Sequence, residues 1–277
     1  MKQILSYIML AAFMYGCTSV PLTGRRQLNL VPDEEVLSLS LQQYSDYMKT
    51  AQKSSNAQNT ALVVKVGQNI ANAVVSYYKT NGMEALLNGY SWEFNLIKDD
   101  QVNAFCMPGG KIVVYEGILP YTQTESGLAV VLGHEVAHAV AKHANEQMSQ
   151  QIVTQYGAAA VGQVLSGSSS TLQTIGNTVF GLGAQYGVLL PYSRKHEHEA
   201  DDLGLIFMAI AGYDPTQALS FWQRMSEQGT AVPEFMSTHP SDASRIADIQ
   251  KKLPEALKYY KGGTTQPSNN TSKQWTF

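Results

Sequence analysis

Hydrophobic positions along the chain recur first at helical spacing, then alternate, then return to helical spacing. Residues 33–53 carry Val36, Leu39, Tyr44 and Tyr47 at intervals of three to five, which predicts a helix. A second helix is predicted over 60–78, with Leu62, Val66, Ile70 and Val74 on one face and Gly82 as its stop. Trp92, Phe94 and Leu96 then alternate with polar neighbours, reading as a strand that ends at Asp99-Asp100. Segments 101–106 and 111–115 read as two more strands joined by Met107-Pro108-Gly109-Gly110, so a small antiparallel sheet is expected.

Helical spacing then returns. Thr122 with Glu125 three residues later has the capping-box pattern and opens a helix expected to reach about Met148. The apolar, Gly- and Ser-rich stretch 150–190 reads as a helix, a flexible loop and a second helix. Another helix follows Pro191 and runs to about Ala211, where Gly212 ends it. Asp214-Pro215 opens the next, and Ser241 or Asp242 caps a final helix through Leu257. Many helices around a few short strands define an α+β, mainly α, fold class.

Composition narrows the picture only slightly. Apolar residues at 44% and charged residues at 15% fit a packed globular chain. A net charge of −3 without a basic stripe gives no nucleic-acid partner. The N-terminus says more. Lys2, an apolar run over 4–14 too short to span a bilayer, and Gly16-Cys17 resemble a bacterial lipoprotein signal. The expected division is a signal over 1–16, an extended lead-in over 17–32, a catalytic domain over 33–260 and a disordered polar tail over 261–277. On this reading Cys17 carries lipid and anchors the chain to a membrane, and the alternative is an ordinary signal cut elsewhere or not at all. With Cys17 so used, Cys106 is alone and no internal disulfide is possible.

The chemistry is concentrated in His134-Glu135-Val136-Ala137-His138, an H-E-x-x-H sequence inside the capped helix. At 100° per residue the two histidines lie about 40° apart around the helix, one turn apart along it. Both imidazoles can reach one zinc ion, and Glu135 can take a proton from water held beside it. The flanking Leu128, Val131, Leu132, Val136 and Ala139 predict burial, where histidines need partners.

A catalytic zinc needs a third protein ligand. His143 is wrongly spaced for the metzincin pattern, since Ala141 and Ala144 stand where its Gly and His belong, and it should face about half a circumference away from His134. Glu197 and Asp201 are the better pair. They are four apart on one helical face, so Glu197 can ligate while Asp201 orients a ligating histidine. Glu199 and His198 point elsewhere and are second choices.

These segments carry a resemblance. PLTGRRQL at 21–28, NAFCMPGGKIVVYEGIL at 103–119, GHEVAHAVAKH at 133–143, PYSRKHEHEAD at 191–201, and STHP with Arg245 downstream resemble the gluzincin metallopeptidases related to HtpX and the CaaX prenyl proteases. The soluble bacterial branch typified by BepA and LoiP is the most similar. The resemblance implies a zincin-like domain with one Zn2+, held by His134, His138 and Glu197, with Glu135 as base and Asp201 behind the ligands. It implies that the strand at Asn103, Ala104 and Phe105 is an edge to which a polypeptide substrate adds as an extra strand. Cys106, where relatives have a small or apolar residue, then serves packing rather than nucleophilic attack. His239 matches a histidine that approaches the metal, either to inhibit or to stabilise an oxyanion, against the alternative of a plain loop histidine. The implied setting is a periplasm-facing lipoprotein of the bacterial envelope, in the outer membrane, that degrades unfolded or misassembled proteins. A chaperone-like module with a latent metal site is the alternative.

Overall fold

The computed structural model describes residues 17–156, 169–180, 192–227, 234–239 and 244–262. The expected signal, the cap at Ser241 or Asp242, most of the tail and much of the 150–190 stretch lie outside the described residues.

The lead-in is not a simple extended arm. Strands β1 (Cys17–Ser19) and β2 (Arg26–Leu28) form an antiparallel hairpin, with Cys17 opposite Leu28. Its turn uses left-handed backbone at Leu22 and Gly24. Val20 is buried at its base.

Two long helices follow, α1 (Asp33–Thr50) and α2 (Ala57–Thr80). Asn56 starts α2 by accepting a hydrogen bond from the Asn59 backbone N–H at 3.0 Å. Gly82, at φ 69°, lies just past its end. Val63, Val66, Ile70 and Val74 form the fully buried stripe of α2. That stripe packs on the sheet made by β3 (Glu93–Ile97), β4 (Ala104–Met107) and β5 (Lys111–Tyr115).

The sheet order is β3-β5-β4. β4 and β5 pair antiparallel across the Pro108-Gly109-Gly110 turn, as expected, but β3 pairs parallel with β5, so the sheet is mixed. Alternation in the sequence reports faces, not partners. The connection over 98–103 carries the chain past β5 to its far side. Burial agrees with this pairing, because strands in parallel arrangement are covered on both faces. Phe94, Leu96, Ile112 and Val114 enter one core with α2. Ile97, Phe105, Met107, Val113 and Tyr115 enter a second core with Val36 and Tyr44 of α1.

After the short α3 (Leu119–Thr122) comes the central helix α4 (Glu125–Val140). Its cap is Thr124, whose hydroxyl accepts from the Gly127 N–H at 3.0 Å; Thr122 closes the preceding turn instead. The predicted continuation to Met148 is broken. Lys142 adopts φ 59°, and a separate helix α5 (His143–Gln151) starts there in a new direction. α6 (Ser169–Val179), α7 (Arg194–Ile210), α8 (Gln217–Ser226), the one-turn α9 (Glu234–Thr238) and α10 (Arg245–Ala256) complete the described α-helices. Ser193 caps α7 through the His196 N–H at 3.3 Å. Among the described residues no helix is long and apolar enough to cross a membrane.

α4 and α7 cross at a pair of glycines. A Cβ on Gly133 would lie 2.8 Å from the Gly204 carbonyl oxygen, and one on Gly204 would lie 2.8 Å from the His134 backbone nitrogen. Only glycine at both positions permits this approach. Alanine normally improves a helix interior by up to ~1 kcal/mol over glycine. Here steric overlap with backbone opposes that gain and costs roughly 1–3 kcal/mol. Gly204→Ala is therefore expected to lower the urea midpoint of unfolding. A midpoint at or above wild type would show that the two helices have room to spare.

Candidate metal centre

α4 carries His134, Glu135 and His138 on its buried side, and α7 presents Glu197 and Asp201 across the glycine contact. The His134 and His138 Nε2 atoms are 3.0 Å apart. Glu197 meets both, with Oε2 3.3 Å from His134 Nε2 and Oε1 3.3 Å from His138 Nε2. His239, from the end of α9, brings Nδ1 to 3.2 Å from both His134 Nε2 and Glu197 Oε1. These four side chains are buried, and one donor atom from each falls in a group spanning no more than 4.8 Å.

The hydrogen-bond roles say what belongs among these atoms. His134 Nδ1 lies 2.9 Å from Asp201 Oδ1, and a carboxylate can only accept, so Nδ1 carries the proton. His138 turns its Nδ1 away from the group, 2.9 Å from His143 Nδ1. With His138 Nδ1 donating to His143, both Nε2 atoms are left as lone pairs aimed at each other and at a carboxylate. Three acceptors facing one another are unstable without a positive charge between them. A tetrahedral ion with bonds of ~2.0–2.1 Å would space its ligand atoms about 3.3 Å apart, close to what is seen.

The electrostatics agree. Burial alone would lower the His134 pKa, yet Asp201 and Glu197 raise it above its usual value, so the pocket favours a positive charge. Burial drives His138 well below the usual histidine range. Burial opposes ionisation of Glu197, but His239, His134 and His138 hold its carboxyl well below the usual range. Burial likewise opposes ionisation of Asp201, and Arg245 and His134 keep it low.

Glu135 stands beside the group in a different state. Its Oε2 accepts from the Cys106 N–H of β4 at 3.2 Å. Its Oε1, 3.3 Å from His239 Nε2, has no hydrogen-bond partner among the described residues. Burial pushes this carboxyl up to about 7, with His239 opposing. An unpartnered oxygen on a carboxyl poised near neutrality is suited to holding and moving a proton of water.

Arg245 closes the back of the site. Its guanidinium forks onto Asp201 with Nε–Oδ2 and Nη2–Oδ1 both 2.8 Å, and Nη1 reaches Glu197 Oε2 at 3.2 Å. It also lies 3.5 Å over the Trp222 ring. Tyr192 stacks on His138 at 4.1 Å between centroids.

The structure therefore brings together His134, Glu135, His138, Glu197, Asp201 and His239. His143 lies outside the donor group, but it does not face away as helical spacing suggested. The break at Lys142 swings it under His138. Glu199 meets His143 at 3.0 Å, and His198, partly exposed, is 3.8 Å from Asp248. Cys106 is free and buried, and burial raises its thiol well above the usual range. Asn103 caps the start of β4 through the Ala104 N–H at 2.8 Å. Ala104 and Phe105 lie in β4, one of the two edge strands of the sheet. Periodicity did not single out Tyr192, Trp222 or the fork of Arg245, because each reaches the site from a different element.

Comparison with known proteins places this geometry. Mitochondrial metalloendopeptidase OMA1 of Schizosaccharomyces pombe is 41% identical over 174 residues, covering 61% of this chain and 49% of that protein. The Saccharomyces cerevisiae protein of that name is 28% identical over 290 residues, covering 96% and 80%. The Beta-barrel assembly-enhancing protease of Escherichia coli (strain K12) is 27% identical over 190 residues, covering 65% and 39%. The resemblance is thus shared between mitochondrial and bacterial proteins and does not single out a bacterial lipoprotein branch. The chain spans about half the length of the Schizosaccharomyces pombe relative. The match to the peptidase family M48 runs over residues 48–253, which hold His134, Glu135, His138, Glu197 and His239. The chain belongs to peptidase family M48, whose peptidases are metal-dependent.

Proposed function

We propose that this protein is a zinc-dependent endopeptidase of the cell envelope, acting on unfolded or misassembled polypeptides. The observation that carries the reading is the convergence of two imidazole lone pairs and a carboxylate beside the unpartnered oxygen of Glu135. Two imidazoles with one carboxylate suit zinc over magnesium or calcium, which prefer oxygen ligands. Bound zinc would polarise water and the peptide carbonyl, bringing the pKa of water from about 16 toward 7. His134, His138 and Glu197 would hold the ion, and Asp201 fixes the His134 tautomer. Glu135 takes the proton from water and passes it to the leaving amine.

The substrate reading rests on β4. Its Cys106 N–H points off the sheet to Glu135, so the free edge of the strand adjoins the proposed base. A polypeptide pairing beside Asn103, Ala104 and Phe105 would bring its backbone to that carboxyl, and such pairing tolerates many sequences. The envelope reading rests on the apolar run that ends at Gly16-Cys17, with lipid on Cys17 as anchor. The Escherichia coli relative is a Beta-barrel assembly-enhancing protease, and transmembrane β-barrels of bacteria belong to the outer membrane.

His239 is read as an inhibitory fourth donor. It is buried, it touches the ligand atoms, and its helix is tied down by the Phe235 N–H to the Val102 carbonyl at 2.8 Å and by the Thr238 carbonyl to the Tyr192 N–H at 3.2 Å. The same closure favours the second reading, a polypeptide-binding module whose metal site is latent.

Casein cleavage by the zinc-loaded mature chain should fall by roughly 10²–10⁴-fold in Glu135→Gln while zinc content stays at one per chain. Equal cleavage by both would remove Glu135 as base. Silence in both would favour the latent module. His239→Ala should raise casein cleavage, and a loss of activity would reassign His239 to the oxyanion. Mass spectrometry of the chain made in a bacterial host should find a lipid-modified Cys17 at the mature N-terminus, and any other start would end the lipoprotein reading.

A further inference from the structure

Each histidine of the H-E-x-x-H pair is backed by a carboxylate and an arginine, but the two arrangements differ. Behind His134 the path is direct, running from Nδ1 to Asp201 and then to the fork of Arg245. Behind His138 another histidine intervenes. His138 Nδ1 is 2.9 Å from His143 Nδ1, and His143 Nε2 is 3.0 Å from Glu199 Oε2. Glu199 is in turn held by the hydroxyl of Thr23 and by Arg25 Nε at 2.5 Å. Both of these residues belong to the turn of the N-terminal hairpin.

With His138 Nε2 offered to the metal group as a lone pair, the protons along this path have one arrangement. Glu199 accepts, so His143 Nε2 carries the hydrogen. A neutral His143 then presents a lone pair at Nδ1, and the hydrogen between the two rings must come from His138 Nδ1. That leaves the His138 Nε2 lone pair aimed at the metal group.

The surroundings hold His143 in place. His196 stacks on it at 4.5 Å with an 18° interplanar angle. His196 Nε2 is 3.0 Å from Glu146 Oε2, and the other side of the Arg25 guanidinium forks onto Glu146 at 3.0 and 2.6 Å. Arg25 thereby ties α5 to α7. His143 is fully buried, and Glu146 and Glu199 nearly so. Ordered charge at this depth is costly unless every partner is present.

We propose that His143, Glu199 and Arg25 form a positioning relay for His138, and that the N-terminal hairpin is thereby a working part of the metal centre. The relay rests on the reading of His138 as a metal ligand. His143 fixes the tautomer and ring orientation of His138. Arg25 and Thr23 fix the carboxylate that orients His143. None of these residues touches substrate or metal, and their effect passes through His138. Removing a partner behind a ligating histidine generally weakens metal binding by roughly 10–100-fold.

The test uses the full mature chain and two readouts besides catalysis. One is zinc affinity by competition with a chromophoric chelator, and the other is the visible d–d spectrum of the cobalt-substituted protein. His143→Phe keeps a ring but neither accepts nor donates. His143→Gln restores one acceptor and one donor. His143→Phe and Arg25→Met should each weaken zinc binding by roughly 10–100-fold and shift the cobalt bands. His143→Gln should recover most of the affinity and the wild-type spectrum. Thermal unfolding of the metal-free proteins separates positioning from folding. A lower melting temperature in Arg25→Met, with zinc affinity and cobalt spectrum unchanged, would make the hairpin a structural brace and overturn the relay. Should His143→Phe fail to fold, Arg25→Met decides the matter by the same two readouts. Relay failure alone leaves a wild-type protein that binds one zinc and cleaves casein. A wild-type protein that binds no zinc overturns the metal-site reading and the relay with it.

Discussion

The centre depends on how closely α4 and α7 approach. Two histidines on one helix can meet a carboxylate on another only where the backbones nearly touch, and the facing glycines at 133 and 204 permit that contact. Gly133 immediately precedes His134, so the contact and the first donor are set by neighbouring residues. From there the geometry propagates. Glu197 and Asp201 sit two turns and one turn N-terminal of the crossing on α7, and so both face the H-E-x-x-H pair. A methyl at the crossing would push apart the donors that must converge.

The sheet sets the second boundary of the site. Because its strands are buried on both faces, the sheet is clamped between two cores, with β4 as one of its two outer strands. The backbone of that strand reaches Glu135 directly through Cys106. One oxygen of the Glu135 carboxyl is thus held by main chain. This tolerates variation at position 106 itself, which fits a cysteine there with no described chemical duty.

Much of this arrangement was legible in the sequence where the signal is local. The buried stripe of α2, the strand alternation near Phe94 and the H-E-x-x-H spacing all report periodicities of three to four or two residues, and the structure places them accordingly. Glu197 and Asp201 were legible for the same reason, as neighbours on one helical face. What stayed hidden depends on contacts distant in sequence or on single unusual backbone angles. Parallel pairing of β3 with β5 has no signature in either strand. Lys142 gives no compositional warning of its left-handed backbone, yet that one angle ends α4 and turns His143 from an outward-facing residue into a partner of His138. Arg25 looked like part of a polar arm because its two carboxylates lie 121 and 174 residues away.

The segment that carries His239 also donates a backbone hydrogen bond to Val102, just before β4. A strand that lengthens the sheet as far as that residue competes for the same carbonyl. Occupying the edge and unseating His239 are then coupled through one short helix, so a ligand confined to the pocket and a ligand extended along the strand face different energetic thresholds. A long, unstructured chain can offset the cost of opening with many backbone pairings, whereas a dipeptide cannot. Selectivity for extended polypeptides would follow from this linkage alone, without a side-chain specificity pocket.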